Sequence, residues 1–192
     1  MNLDIVTTET IKSLLPKLEK SKAIICDLRG YPKSNPEFIT HFLKNDDTVS
    51  AWMQVPRIVY PDQERILGYA KYNWERMMKP SKPYLGDKKI VFIIDGSAIS
   101  YAESYMGYIE GYHLATIVGQ PTAGTNGNVN TFDLPGGYSI RFTGMKVLKH
   151  NGSQHHGIGI LPDIYVNKTI QGIKEGRDEF LEKAIEIAKH NK

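Results

Sequence analysis

Ser100 and Glu103 stand three residues apart in the stretch "DGSAISYAES", between a hydrophobic run and a segment with helical spacing. Two chemistries fit that placement. A serine followed three residues later by a glutamate forms a capping box, in which the hydroxyl accepts a first-turn N–H, an arrangement worth about 1 kcal/mol. The same serine can instead be a nucleophile, exposed at the carboxyl end of a buried strand with first-turn N–H groups pointing at a developing oxyanion. A nucleophilic hydroxyl needs a group to take its proton. His155 and His156 in "SQHHGIG" are candidates, because imidazole titrates near neutrality and the flanking glycines mark a loop. A solvated hairpin end is the competing reading of the same pair. Metal binding by the pair is the weaker reading, since adjacent residues on a strand project apart and no third ligand has a suitable spacing. "GQPTAGTNGN" is rich in glycine but lacks the G-K-[ST] ending of a phosphate cradle, so it reads as a wall of a cleft.

Positioning these residues requires buried strands and flanking helices. "KAIICDL" and "KKIVFIID" are short apolar runs ending at Asp27 and Asp95, the pattern of central strands buried on both faces. They are expected to be neighbours or near neighbours in one sheet, with Asp27 and Ser100 at the same end. "TTETIKSLLPKLEKS" carries a Thr cap and places Ile11, Leu14, Leu15 and Leu18 on one helical face, with Pro16 as a potential kink. "PEFITHFLKN" reads as a short helix and "VSAWMQVPRIVYP" as a strand despite its proline. Residues 62–83 remain ambiguous. "ISYAESYMGYIEGYH" reads as a helix whose tyrosines at 101, 105, 108 and 112 form a packed face, and "ATIVG" as a short strand. "TFDLPGGYSIRFTGMKVLKHNG" predicts a hairpin turning at "PGG" and then a further strand. "RDEFLEKAIEIAKH" predicts an amphipathic helix with Phe180, Leu181, Ala184, Ile185 and Ala188 inward. Pro162 and Asp163 are expected to fix the start of a strand, and His41 and His113 to lie on helix surfaces.

Composition narrows the partners. The chain has 192 residues, 24 basic against 21 acidic side chains, a formal charge of +3 and 41% hydrophobic residues. That is enough for one domain with a sizeable core, and no basic run marks a nucleic-acid partner. No apolar stretch approaches the roughly 20 residues of a membrane span, and the opening residues lack the form of a signal peptide. Cys26 is a single cysteine inside an apolar run, so it forms no internal disulfide and reads as a small buried core residue. With no internal repeat and no low-complexity linker, residues 1–192 read as one α/β domain.

An ordered series of elements carries a family resemblance: "IICDLRG", the serine turn with its glutamate, "VGQPTAG", "LPGG" and "GIGILPDI". Together they resemble the protease core of the tail-specific, or C-terminal processing, serine peptidases, a family that includes tricorn core proteases and retinoid-binding repeats. The resemblance runs from about Lys22 to the C-terminus. It implies a crotonase-like α/β core of ββα units, with a mixed sheet and flanking helices, cropped from a longer parent with a possible upstream domain. It also implies a polypeptide substrate, acyl transfer without metal or cofactor, and an extracytoplasmic parent. By this resemblance Ser100 is the nucleophile, and the backbone N–H groups of Tyr101 and Gly30 form the oxyanion hole. The Gly30 match is poor, because "GYPKSN" follows where many members have a double glycine. Glu103, Thr125 and His155 would line the cleft. Thr125 occupies the position of the catalytic lysine in the lysine-using branch, and threonine accepts no proton near neutral pH. In the tricorn-like branch a glutamate precedes "G-x-x-P-D", and His156 stands there. His156 is therefore the candidate base within the chain, expected on a loop folded over the serine turn. The alternative is a catalytically silent domain that keeps the cleft for peptides or small apolar ligands.

Overall fold

The strand carrying "KIVFII" is apolar on both sides because both of its faces meet hydrophobic layers. In the computed structural model, which describes residues 1–33, 35–48, 53–58, 66–72 and 78–190, this is β4 (Lys89–Ile94). Ile90, Phe92 and Ile94 point into one core with Phe42, Tyr105 and Ile109, while Val91 and Ile93 join Val118, Phe180 and Ala184 in a second. Alternate residues of a strand face opposite sides, so one segment builds two cores.

The elements run in chain order as α1 (Thr8–Lys20), β1 (Ala23–Asp27), α2 (Glu37–Thr40), β2 (Met53–Ile58), β3 (Ile66–Tyr72) and β4. There follow α3 (Tyr101–Gly111), β5 (Thr116–Gly119), β6 (Val129–Leu134), β7 (Tyr138–Thr143), β8 (Lys146–Val147), β9 (Ile164–Tyr165), α4 (Ile170–Glu175) and α5 (Glu179–Lys189). The main sheet has the order β1-β4-β5-β9, and its described pairings are all parallel. Antiparallel pairing forms a sheet of order β3-β2-β8 and the β6-β7 hairpin, with an isolated bridge between Leu148 and Gln154. The expected mixed sheet is thus resolved into a parallel sheet flanked by helices and separate antiparallel parts.

β1 and β4 are direct neighbours, with Asp27 opposite Ile93, so Asp27 and the turn leading to Ser100 leave the sheet at the same end. α1 runs through Pro16, which lies exposed, so the Lys12 carbonyl that loses its helical partner can turn to water. Pro56 is accommodated in β2 because β8 pairs only with Met53 and Gln54 and ends before reaching it. The remaining residues of that stretch, 49–52 and 59–61, lie outside the described residues, as does much of the ambiguous 62–83 segment. Asp163 ties β9 to β5, accepting from the Ile117 N–H at 2.7 Å while its own N–H reaches the Ile117 carbonyl at 2.8 Å.

Some helix faces differ from expectation. On α5, Phe180 and Ala184 are buried and Ile187 and Ala188 pack beside them, whereas Leu181 and Ile185 sit on the exposed flank. His41 is buried and its Nδ1 donates to the Pro83 carbonyl at 2.9 Å, so it is no surface residue. His113 is exposed, and Tyr105 and Tyr108 are buried as the packed-face reading requires. Cys26 is fully enclosed, and burial pushes its thiol up to about 12, which makes it an inert core residue.

Candidate active site

After β4 the chain turns tightly: the Asp95 carboxylate accepts from the Ser97 N–H at 2.9 Å, and its carbonyl from the Ala98 N–H at 3.0 Å. Ser100 then adopts φ 51° and ψ −109°, a region comfortable for glycine and strained for a residue with a Cβ. Neighbouring bonds hold it there. Its N–H donates to the Thr125 carbonyl at 2.8 Å, the Ala123 N–H donates to the Ala98 carbonyl at 3.1 Å, and its own carbonyl accepts from the Ser104 N–H at 3.0 Å.

Ser100 occupies the N-cap position of α3 and makes no side-chain cap bond. The capping-box reading is therefore overturned. The reason lies in Glu103, which is fully buried and turned toward the 122–124 loop. Its Oε1 accepts from Thr122 Oγ1 and from the Gly124 N–H, each at 2.6 Å. Its Oε2 lies 3.3 Å from Nε2 of the equally buried His155. The glutamate clamps the loop bearing Thr125 to the helix bearing Ser100.

Ser100 and Thr125 open onto one cleft of about 460 Å³, whose lining also includes Ile99, Asn126, Thr131 and Arg141. A hollow of about 510 Å³ beside His150 and Lys149 is lined by other residues and does not include Ser100. Glu103 and His155 lie beneath the cleft, against the expectation that they line it, because their carboxylate and imidazole are sealed in the clamp. His156 is tied to the same loop, its Nε2 at 2.9 Å from the Asn126 carbonyl. A carbonyl only accepts, so Nε2 carries a proton there, and Nδ1 alone is left for any basic role. The "SQHHGIG" loop packs on the 122–126 loop, with the Gly157 N–H donating to the Gly124 carbonyl at 2.9 Å. It approaches from outside the cleft, and neither imidazole is among the residues lining it. Among the described residues, the cleft lining holds no group that titrates near neutrality, and no cluster of three or more His, Cys, Asp or Glu side chains is arranged to hold a metal ion.

Tyr101 is the first helical residue of α3, and its ring lies 5.7 Å from that of Tyr31, the residue after Gly30. Gly30 lies against the Asp4 side chain: a Cβ there would stand 2.1 Å from Asp4 Oδ2, so a larger residue would have to displace that carboxylate. The loop after β1 is pinned by Arg29, which binds Asp27 through Nη2 at 2.6 Å and the α5 cap residue Asp178 through Nη1 at 2.9 Å and Nη2 at 2.7 Å. The sequence reading missed this bridge across 149 residues, because no local pattern announces it. Burial, reinforced by Asp27 and Asp95, holds the Asp4 carboxyl above its usual range, while Arg29 acts in the opposite sense.

The model of Peptidase family S41 matches residues 3–166. A probable CtpA-like serine protease of Staphylococcus epidermidis is 31% identical over 81 residues, covering 42% of this chain and 16% of that protein. The matched segment thus spans about a sixth of the length of that curated relative. A putative peptidase from Parabacteroides merdae superposes with a TM-score of 0.76 at 20% identity, over 98% of this chain and 59% of the other. The photosystem II D1 C-terminal processing protease gives 0.57 at 16% identity, over 86% and 40% of the two chains. Among the described residues, no helix is long and apolar enough to cross a membrane. With the family model covering most of the chain and the serine turn, the glutamate clamp and the parallel sheet inside the match, the chain belongs to peptidase family S41.

Proposed function

We propose that residues 1–192 form a single crotonase-like serine-peptidase core, cropped from a longer parent, that hydrolyses polypeptides with Ser100 as nucleophile. The observation that carries the reading is the serine itself: strained, without a cap bond, and facing an open cleft. A structural cap would gain nothing from that conformation, whereas a nucleophile gains exposure of its hydroxyl. Ser100 Oγ attacks the peptide carbonyl carbon, its proton passing to a base, and the N–H groups of Tyr101 and Gly30 receive the oxyanion. Collapse breaks the C–N bond, the amine leaves with a proton, and water then hydrolyses the acyl-enzyme. Glu103 and His155 act by fixing the Thr122–Thr125 loop against the serine turn.

The base enters from outside the residues that line the cleft, because Thr125 cannot serve and His156 presents its protonated nitrogen to Asn126. An upstream domain of the parent is the source this reading favours. In this reading the parent acts outside the cytoplasm, which its CtpA-like relative supports, and takes polypeptide rather than nucleic acid as substrate. A second reading, a silent peptide- or apolar-ligand-binding domain, draws support from the same lack of a base in the lining. Hydrolysis of a fluorogenic unfolded polypeptide by this chain, by a longer parent chain and by the Ser100→Ala form of each separates the two. Turnover in the parent that disappears with Ser100→Ala upholds the enzyme; saturable binding without turnover in either chain upholds the binding domain.

A further inference from the structure

The β6-β7 hairpin is amphipathic across its two faces. Its register pairs Asn130 with Phe142, Phe132 with Ile140 and Leu134 with Tyr138 on one face, and Val129 with Thr143, Thr131 with Arg141 and Asp133 with Ser139 on the other. The second, more polar face lines the cleft that Ser100 opens onto, and Arg141 is the one ionisable side chain in that lining. Among the described residues its guanidinium makes no hydrogen bond and no ion pair. The nearest carboxylate on the same face, Asp133 at the diagonal position, is engaged by the Ser139 hydroxyl. A planar cation with its donors unspent stands in the wall of the proposed substrate cleft, flanked by the small polar side chains of Thr131 and Thr143.

We propose that Arg141 sets a substrate preference, receiving an acidic side chain of the polypeptide bound beside Ser100. This rests on the peptide-cleft reading above and adds a chemical class to it. A guanidinium meets a carboxylate with two parallel N–H···O bonds, which neither an amide nor a cationic side chain can reproduce. The site is open to solvent, so the preference is moderate and falls with salt.

The test uses Ser100→Ala to prevent turnover, with fluorescein-labelled, C-terminally amidated peptides that differ only in Glu or Gln at successive positions, read by fluorescence anisotropy. At one position the Glu peptide should bind about five- to tenfold more tightly than its Gln partner at low salt. The gap should narrow in high salt, vanish in Arg141→Gln, survive in Arg141→Lys in reduced form, and invert toward a Lys peptide in Arg141→Glu. Thermal melts confirm that each variant folds, which the exposed hairpin position favours. Equal affinity of all Glu and Gln pairs, or a preference that persists in Arg141→Gln, overturns the inference and leaves the peptide cleft standing. A preference seen only when the peptides carry a free C-terminal carboxylate also overturns it, since the cleft then reads chain ends. Failure of every peptide to bind overturns the cleft reading itself and this inference with it.

Discussion

Replacing Ser100 with glycine should make the fold more stable while removing its chemistry. At φ 51° and ψ −109° the serine sits where a Cβ costs about 1–3 kcal/mol, and glycine escapes that cost. Against this stands the greater freedom of glycine in the unfolded chain, about 0.5–1 kcal/mol. No cap bond is lost, because the hydroxyl makes none. The difference is a net gain of about 1 kcal/mol, or a rise in Tm of about 2–4 °C for a chain of this size. Ser100→Ala keeps the strained Cβ and should melt within about 1–2 °C of the wild type. Circular dichroism melts and urea titrations of the three forms, run side by side, provide the measurement. A glycine form less stable than wild type, or an alanine form weaker by about 1 kcal/mol as a lost cap demands, would refute the strained-nucleophile account.

Thr125→Lys should install an amine beside Ser100 in the cleft and raise hydrolysis or serine labelling by at least about tenfold, a modest share of what a positioned base supplies; an unchanged rate would mean that residue 125 does not reach the hydroxyl. Glu103→Ala leaves the Thr122 hydroxyl and the Gly124 N–H buried without an acceptor and should cost about 3–5 kcal/mol, whereas Glu103→Gln retains an accepting oxygen and should fold; equal urea midpoints for the two would contradict the clamp. The paired Arg29 guanidinium holds the Asp178 carboxyl below its usual range, so the pair stabilises the fold above that range and the stability fades as pH falls through the lowered folded value. The gap in Tm between wild type and Asp178→Asn should therefore be widest near pH 7 and close as the pH falls below the ordinary carboxylate range, and a gap independent of pH would contradict the bridge.

The central strands were legible because burial on both faces leaves an unbroken apolar run, and "KIVFII" has no other use for six such residues. The hairpin was legible because Gly136 and Gly137 at positive φ answer a turn that the sequence spells out. Ser100 is legible by its position between strand and helix, but the S-x-x-E spacing left a cap and a nucleophile both open: it describes a local box, and the carboxylate goes instead to residues about 20 positions away. Leu181 and Ile185 were placed inward by helical spacing alone, which gives a stripe but not its edges. Arg29 and Asp178 meet only because β1 and the start of α5 meet, so neither residue's neighbours in the chain reveal the other.

The central claim, that Ser100 is the nucleophile of a peptidase, meets its most direct test in intact-protein and peptide-level mass spectrometry after treatment with a fluorophosphonate. Such probes form a bond to an activated serine oxygen and expel fluoride. The account predicts one stoichiometric adduct on Ser100 in the longer parent chain, absent from Ser100→Ala and slowed by a competing polypeptide. No adduct on Ser100 in the parent, or an adduct of the same yield that survives in Ser100→Ala, would contradict it.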